Sequence, residues 1–341
     1  MNRVLAVLAV AALVLVAAIV AAGVHAKQFL ETPLTVPEQG LSFEISPGTA
    51  FATVSRELED AGIVTDADLL RLYARWTKQA SKVQAGEYRI KAGTTPVELL
   101  QQFTTGGVQL YSFTIIEGWN HRDLLKALED HPEVTASMSD EDWPALLSEL
   151  KADATWPEGL FLPETYRFPR GTSDRSVLSQ AYQLMQMTLA EEWDNRGPGT
   201  PVASPYEALI LASIVEKETA RADERGRIAG VFARRLQKRM RLQTDPTVIY
   251  GIGPDFNGNL TRRDLQTDTP YNTYTRAGLP PTPIAMPGRA AIHAVLHPAS
   301  GEELYFVATG LGDGSHKFST SKEEHDDAVQ EYLKQLRKQR N

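Results

Sequence analysis

Residues Val4 to Val24 run for 21 consecutive positions without a charge, and no other feature restricts the architecture as strongly. At 1.5 Å per residue such a helix spans ~31 Å, enough to cross the hydrocarbon core of a bilayer. Arg3 and the amino terminus precede it, so the positive-inside tendency keeps that end cytoplasmic and exports the rest. A cleaved signal peptide is the rival, because Val24-His25-Ala26 loosely resembles a small-residue cleavage site. The apolar run is longer than the usual ~7 to 15 residues of a signal core, which favours an uncleaved anchor. No second apolar stretch of spanning length follows, and roughly 315 residues remain, enough for two domains with real cores. The chain has no cysteine, which excludes disulfides, thiolate metal sites and a cysteine nucleophile. A net charge of -8 disfavours nucleic acid, whose phosphates call for a basic face.

Residues 204 to 220, SPYEALILASIVEKETA, read as a buried, well-capped helix ending in carboxylates. Ser204 suits the N-cap, Pro205 the first helical position, and Glu207 stands where a capping box requires it. The run Ala208 to Val215 is apolar except for Ser213, as in a helix covered on most sides. Leu209, Ala212, Ser213, Glu216 and Ala220 share one face, so Glu216 lies on a stripe of small and apolar neighbours with no cation at i+3 or i+4. Glu218 points about 200° away around the helix and has Arg221 at i+3, which makes it the more ordinary charge. A carboxylic acid held against apolar surface keeps its proton near neutral pH, as a general acid must. The bland alternative is a solvated glutamate at a helix end.

Residues 241 to 288 are dense in turn formers, hydroxyls, amides and aromatics, a composition that marks a long functional or disordered loop. Interleaved Tyr250, Tyr271, Tyr274, Val248 and Ile249 argue against disorder. Gln243, Thr244, Asp245, Asn272 and Thr273 supply donors and acceptors suited to sugar hydroxyls and N-acetyl groups, and tyrosine faces can stack on sugar rings. A carbohydrate groove is expected here; a loop ordered by its own prolines is the alternative.

Taken together, LASIVEKETA (211 to 220), RLQTDPTVIYGIG (241 to 253), YNTY (271 to 274), GLPPTPIAMPG (278 to 288), HPA (297 to 299), LYFVATG (304 to 310) and PEGLFLPETYRF (157 to 168) resemble the YceG-like family of endolytic murein transglycosylases over nearly the whole chain. Thr282 and Met286 depart from the family's Pro-rich loop. The resemblance implies that the first Glu of the IVEKET motif, here Glu216, is the catalytic acid/base. Gln243, Thr244, Asp245, Tyr271, Asn272, Thr273, Tyr274, Glu218 and Glu164 are then the expected substrate-binding residues. It further implies a single-pass inner-membrane protein with its catalytic domain in the periplasm, acting on peptidoglycan glycan strands as a terminase of elongation, beside peptidoglycan synthases. Neither metal nor organic cofactor is expected.

An ordinary glycosidase needs two carboxylates, whereas a lytic transglycosylase manages with one because the muramyl C6 hydroxyl is its own nucleophile. A hydrolytic muramidase is the rival within enzymes, with Asp245 or Glu164 as its second acid. A noncatalytic wall-binding scaffold is the rival outside them.

The expected fold class is α+β. Residues 1–26 form the cytoplasmic tip and anchor, 27–40 a linker, 41–108 a small module and 109–341 a larger catalytic domain. In the module, strands at 41–45 and 86–90 flank helices at 51–61 and 67–78, and a further helix occupies 96–103. The resemblance makes this module LysM-like, a glycan-binding fold; a spacer is the alternative. The larger domain is expected to hold a strand at 113–118, helices near 121–130, 140–151, 174–195 and 223–240, strands at 304–308 and 316–319, and a final helix over 321–339. His293 and His297 stand at i, i+4, but with no glutamate between them and Pro298 ending the helix a structural role is favoured over zinc. Ser204 and Ser213 lack a nucleophile-elbow context, Gly251-x-Gly253 does not extend to a dinucleotide fingerprint, and no P-loop is present.

Overall fold

The computed structural model describes residues 2–340. Two compact units divide it: the first takes in the chain up to Tyr111 together with Arg167–Gly171, the second Ser112–Tyr166 and the chain from Thr172 onward. The first and last positions of the expected division, 1 and 341, lie outside the described residues.

The first unit begins with α1 (Asn2–Glu31). Its apolar side chains from Leu5 to Val24 are exposed, and Val7–Glu31 is long and apolar enough to cross a membrane. The helix runs past the expected anchor end at 26 into the expected linker because nothing in His25–Glu31 breaks it, and Lys27 and Glu31 pair at 3.8 Å across one turn. Next come β1 (Leu41–Ile45), α2 (Phe51–Asp60), α3 (Ala67–Trp76), β2 (Gly86–Ile90) and α4 (Pro96–Thr105). β1 and β2 pair antiparallel, Leu41 opposite Ile90 and Ile45 opposite Gly86. Local chemistry sets the helix ends. Asp66 accepts from the Leu69 amide at the start of α3, Thr95 and Glu98 form a reciprocal capping box on α4, and Gly106 closes α4 in the left-handed conformation. Tyr88, Phe103, Leu58, Ile90 and Leu99 fill the core, with the Tyr88 and Phe103 rings edge to face at 4.6 Å. Phe29 from the last turns of α1 joins them, so α1 and the module share one core.

Between the two units runs β3 (Leu110–Thr114), and the second unit continues with α5 (His121–Glu129), β4 (Val134–Thr135), α6 (Trp143–Glu149), β5 (Thr165–Pro169), β6 (Thr172–Ser173), α7 (Asp174–Asp194), α8 (Pro205–Glu218) and α9 (Ala222–Gln237). Then follow α10 (Asp245–Ile252), α11 (Arg262–Gln266), α12 (Arg289–Leu296), β7 (Tyr305–Ala308), β8 (His316–Ser319) and α13 (Lys322–Arg340). Every sheet is two-stranded: β1–β2, β3–β5, β4–β6 and β7–β8. The fold is therefore mixed α+β, and helices carry the second unit. α8 is its axis, with α7, α9, α10 and α12 packed around it and Ala208 to Val215 all buried. Complete burial explains why its apolar run shows no polar stripe until the last turn.

Three local expectations change. The strand expected at 113–118 is Leu110–Thr114, because Gly118 takes φ 80° and the Trp119 amide turns back to the Ile116 carbonyl. The helix expected from 140 starts as a single 3-10 turn, Asp140–Asp142, before α6, where Pro144 sits in the first turn and lacks an amide to donate. Segment 241–288 is not wholly loop, since it contains α10 and α11. Pro246 stands in the first turn of α10, where its missing amide costs nothing.

Phe103→Ala removes a fully buried ring from the first unit, and we expect a loss of about 3–5 kcal/mol in denaturant unfolding of that unit; a loss under about 1 kcal/mol would contradict the assigned core.

Candidate active site

α8 ends at Glu218, and Thr219 leaves the helix in an extended conformation. Its start is capped by the Ser204 hydroxyl accepting from the Glu207 amide at 3.2 Å. The return half of the expected capping box is displaced by one residue, with Glu207 accepting from the Ala203 amide at 2.7 Å. Ser213, the one polar residue in the buried run, donates to the Ile210 carbonyl at 2.7 Å and accepts from the Ile284 amide at 2.9 Å. That second bond ties the Pro-rich segment to the middle of α8.

The two carboxylates of the last turn have different surroundings. Glu216 accepts from the Gly288 amide at 2.9 Å and has the Arg225 guanidinium 3.7 Å away, its side chain only 5% exposed. The expectation that Glu216 has no cationic partner is thus corrected. α9 supplies Arg225 nine positions on, beyond the reach of an i+3 or i+4 rule. Burial still pushes the Glu216 carboxyl above its usual range, against the opposing pull of the Gly288 amide and Arg225 and with help from Glu117. The Glu117 carboxylate lies directly against Gly288, so a side chain at that position would require the Glu117 side chain to move. Glu117 and Arg225 belong to a cavity of about 850 Å³ also lined by Glu164, Glu192, Arg289, His293 and His297.

Glu218 is the more perturbed group, which corrects its reading as the ordinary charge. Arg221 does not pair with it but reaches Asp223 at 2.7 Å and the Asp313 carbonyl at 3.2 Å. Burial lifts the Glu218 carboxyl from 4.5 to about 7; a hydrogen bond from the Thr244 hydroxyl opposes the rise, the negative charge of Asp245 adds to it, and Arg235 lowers it. Glu218 also sits at the negative pole of α8, which disfavours a carboxylate further. Arg235 is a weak counter-ion because its guanidinium is already donated to the Leu304 and Leu242 carbonyls, each at 2.6 Å.

The Glu218 cavity, about 470 Å³, is lined among others by Gln243, Asp245, Tyr274, Arg235, Tyr305 and His325. Five of the expected residues therefore meet here: Glu218, Thr244, Gln243, Asp245 and Tyr274. Gln243 is held at φ 51°, a sparsely populated conformation for a side-chain-bearing residue and a recurrent mark of functional loops. Its amide bonds the Thr273 carbonyl at 3.2 Å, and the next amide, of Thr244, bonds the Thr273 hydroxyl at 3.1 Å. The loop thereby turns Thr244 inward, 2% exposed, and leaves Gln243 and Asp245 exposed. Tyr274 donates to Asp245 at 2.6 Å, and burial, reinforced by that carboxylate, keeps the phenol protonated.

The remaining expected residues take other places. Asn272 is 1% exposed and spends its amide on the Asp264, Leu265 and Thr267 carbonyls while accepting from the Tyr274 amide. Thr273 is buried and shares hydrogen bonds with Thr244 and Thr247. Both build the loop. Tyr271 packs edge-on against Tyr250 at 4.9 Å and shares a hydrogen bond with Thr282, away from the lining of the Glu218 cavity. Glu164 lines the larger cavity instead. His325 and Arg235 were missed by the sequence reading. His325 sits in α13, its Nδ1 buried with no hydrogen-bond partner among the described residues, and burial lowers its basicity. Nothing in a helix rich in Lys and Glu singled it out.

His293 and His297 stack at 4.2 Å, and Glu192 of α7 comes close enough to form a three-residue cluster with them. Each member already has a protein partner: His293 Nδ1 and Arg289 meet Glu192 at 2.8 and 3.2 Å, and His297 Nε2 meets the Asn195 carbonyl at 2.8 Å. The cluster thus joins α7 to α12.

The sequence profile of the YceG-like family matches residues 43–331. The chain belongs to the YceG-like family. It is 28% identical over 326 residues to a protein of Bacillus subtilis named endolytic murein transglycosylase, covering 91% of this chain and 89% of that one. A Streptococcus pneumoniae protein of the same name is 26% identical over 321 residues, 85% of this chain and 58% of the longer relative. The crystal structure of a yceG-like protein from Listeria monocytogenes superposes with a TM-score of 0.51 at 27% identity, over 85% of this chain and 99% of that one.

The Glu218 shift has a thermodynamic consequence. Between pH 4.5 and about 7 the unfolded chain has released this proton and the folded chain keeps it, so stability falls as pH rises through that window and levels off above it. Glu218→Gln abolishes the effect. The variant's stability relative to wild type should rise by on the order of 3 kcal/mol between pH 4.5 and 7.5 in denaturant melts; a pH-independent difference would contradict the shift.

Proposed function

We propose that this protein is a membrane-anchored lytic transglycosylase that cleaves the bond between N-acetylmuramic acid and N-acetylglucosamine inside peptidoglycan strands and ends their elongation. The observation that carries the reading is the buried carboxyl of Glu218, hydrogen-bonded by Thr244 and lining one cavity with Asp245, Gln243 and Tyr274, where burial pushes it up to about 7. The names of the relatives from Bacillus subtilis and Streptococcus pneumoniae support the substrate class.

In this reading Glu218 donates its proton to the bridging oxygen as the bond from that oxygen to the muramyl C1 breaks and an oxocarbenium-like centre forms. The carboxylate left behind takes the proton of the muramyl C6 hydroxyl. That oxygen then bonds to C1, which gives a 1,6-anhydro end without consuming water. Asp245 keeps the Glu218 proton on by its negative charge and is positioned by Tyr274; exposed Gln243 orients the sugars. The acid thus moves from Glu216, expected from the motif, to Glu218. Glu216 is engaged by a backbone amide and an arginine, and the sugar-suited side chains gather on the other side of α8.

Two comparisons test this on uncrosslinked glycan. Glu218→Gln should lower cleavage by at least about 10³-fold with the fold retained, and Glu216→Gln by less than about 10²; the reverse order would return the role to Glu216. Asp245 also keeps a hydrolytic reading open, because it places a second carboxylate in the same cavity. Products lighter by one water identify the transglycosylase. Activity should fall on the basic side of about pH 7, and Asp245→Asn should move that limb to lower pH because it removes a charge that raises the Glu218 carboxyl; an upward move would contradict the assignment.

In this reading α1 crosses the inner membrane with Arg3 on the cytoplasmic side, so the module and the second unit lie in the periplasm, within reach of strands leaving their synthases. The β1–α2–α3–β2 order supports a LysM-like module that holds glycan beside the anchor.

A further inference from the structure

The exposed face of α3 sits beside the anchor helix, and it is not a face that water should cover. Trp76 is 80% exposed and Leu72 64% exposed, within a stretch, 41–105, whose other large apolar residues are buried or partly buried. These two side chains, with Leu69 and Tyr73, line a groove of about 700 Å³ whose other lining includes Gly23, Ala26, Leu30 and the paired Lys27 and Glu31 of α1. Position along α1 fixes the depth of the groove. If Val4 to Val24 occupies ~31 Å of hydrocarbon, Gly23 lies at its edge and Lys27 among the headgroups. The groove and Trp76 then lie at the depth where tryptophan is enriched in membrane proteins. Charge agrees with depth. Arg75 of α3 and Lys78 just past its end stand near Trp76 and Leu72 in sequence, with Arg71 paired to Asp68 at 2.8 Å beside them, a basic-aromatic pattern suited to an anionic lipid surface.

We propose that α3 is a second membrane contact: Trp76 and Leu72 enter the headgroup and upper acyl region of the leaflet that α1 leaves, while Arg75 and Lys78 meet anionic headgroups. The contact holds the module flat on the bilayer rather than letting it swing on the anchor. It rests on α1 being the membrane anchor.

The test uses the full chain reconstituted in phosphatidylethanolamine–phosphatidylglycerol vesicles containing lipids brominated either near the headgroup or deep in the acyl chain. Resistance to alkaline extraction reports insertion of α1 separately. The shallow bromines should quench tryptophan emission at least about twofold more than the deep ones. Trp76→Phe, an exposed substitution that leaves the fold intact, should remove most of that quenching while extraction resistance persists. Quenching unchanged by Trp76→Phe in an extraction-resistant protein would overturn the α3 contact alone. Loss of the chain on alkaline extraction would overturn the anchor, and the α3 contact with it.

Discussion

Everything in the second unit is arranged around the cost of leaving a carboxylate charged at the end of a buried helix. α8 is sheathed on all sides through Val215, and in its last turn the Glu216 side chain stays nearly buried while Glu218 lines a cavity walled by other elements. A glutamate there can be made comfortable by a cation and an amide, or left uncomfortable so that it holds its proton. The chain does both, two residues apart. Glu216 receives the Gly288 amide and Arg225; Glu218 receives a hydroxyl, a neighbouring negative charge and an arginine already committed to carbonyls.

That division of labour depends on the loop that follows α9. Gln243 in its left-handed conformation, fastened by Thr273, presents Thr244 to Glu218 and starts α10 at Asp245. Asn272 fastens the far side by closing three carbonyls around its amide. The polar density of this segment therefore serves two ends. Some residues are spent inward on building the loop, and a smaller set faces the cavity.

Much of this was legible in the chain. The cap at Ser204, the apolar run of α8 and the order of the module's elements all follow from local chemistry, which is written in consecutive residues. What was illegible arises from contacts across the fold. An i+3 or i+4 rule could not see that Arg225 from α9 would answer Glu216, or that Arg221 would turn to Asp223 and leave Glu218 alone. A composition argument could not separate Asn272 and Thr273, buried as scaffolding, from Gln243 and Asp245, exposed at the cavity. His325 and Arg235 come from helices whose sequences look like ordinary charged surfaces, and their roles exist only because α9 and α13 bring them to the same hollow.

The central claim is that Glu218 keeps its proton under physiological conditions. Titration of its carboxyl, followed by the infrared difference between wild type and Glu218→Gln as pH is varied, tests this directly. The account predicts a protonated-carboxyl band that disappears with a midpoint near pH 7. A midpoint near 4.5, with Glu218 ionised throughout the neutral range, would contradict it.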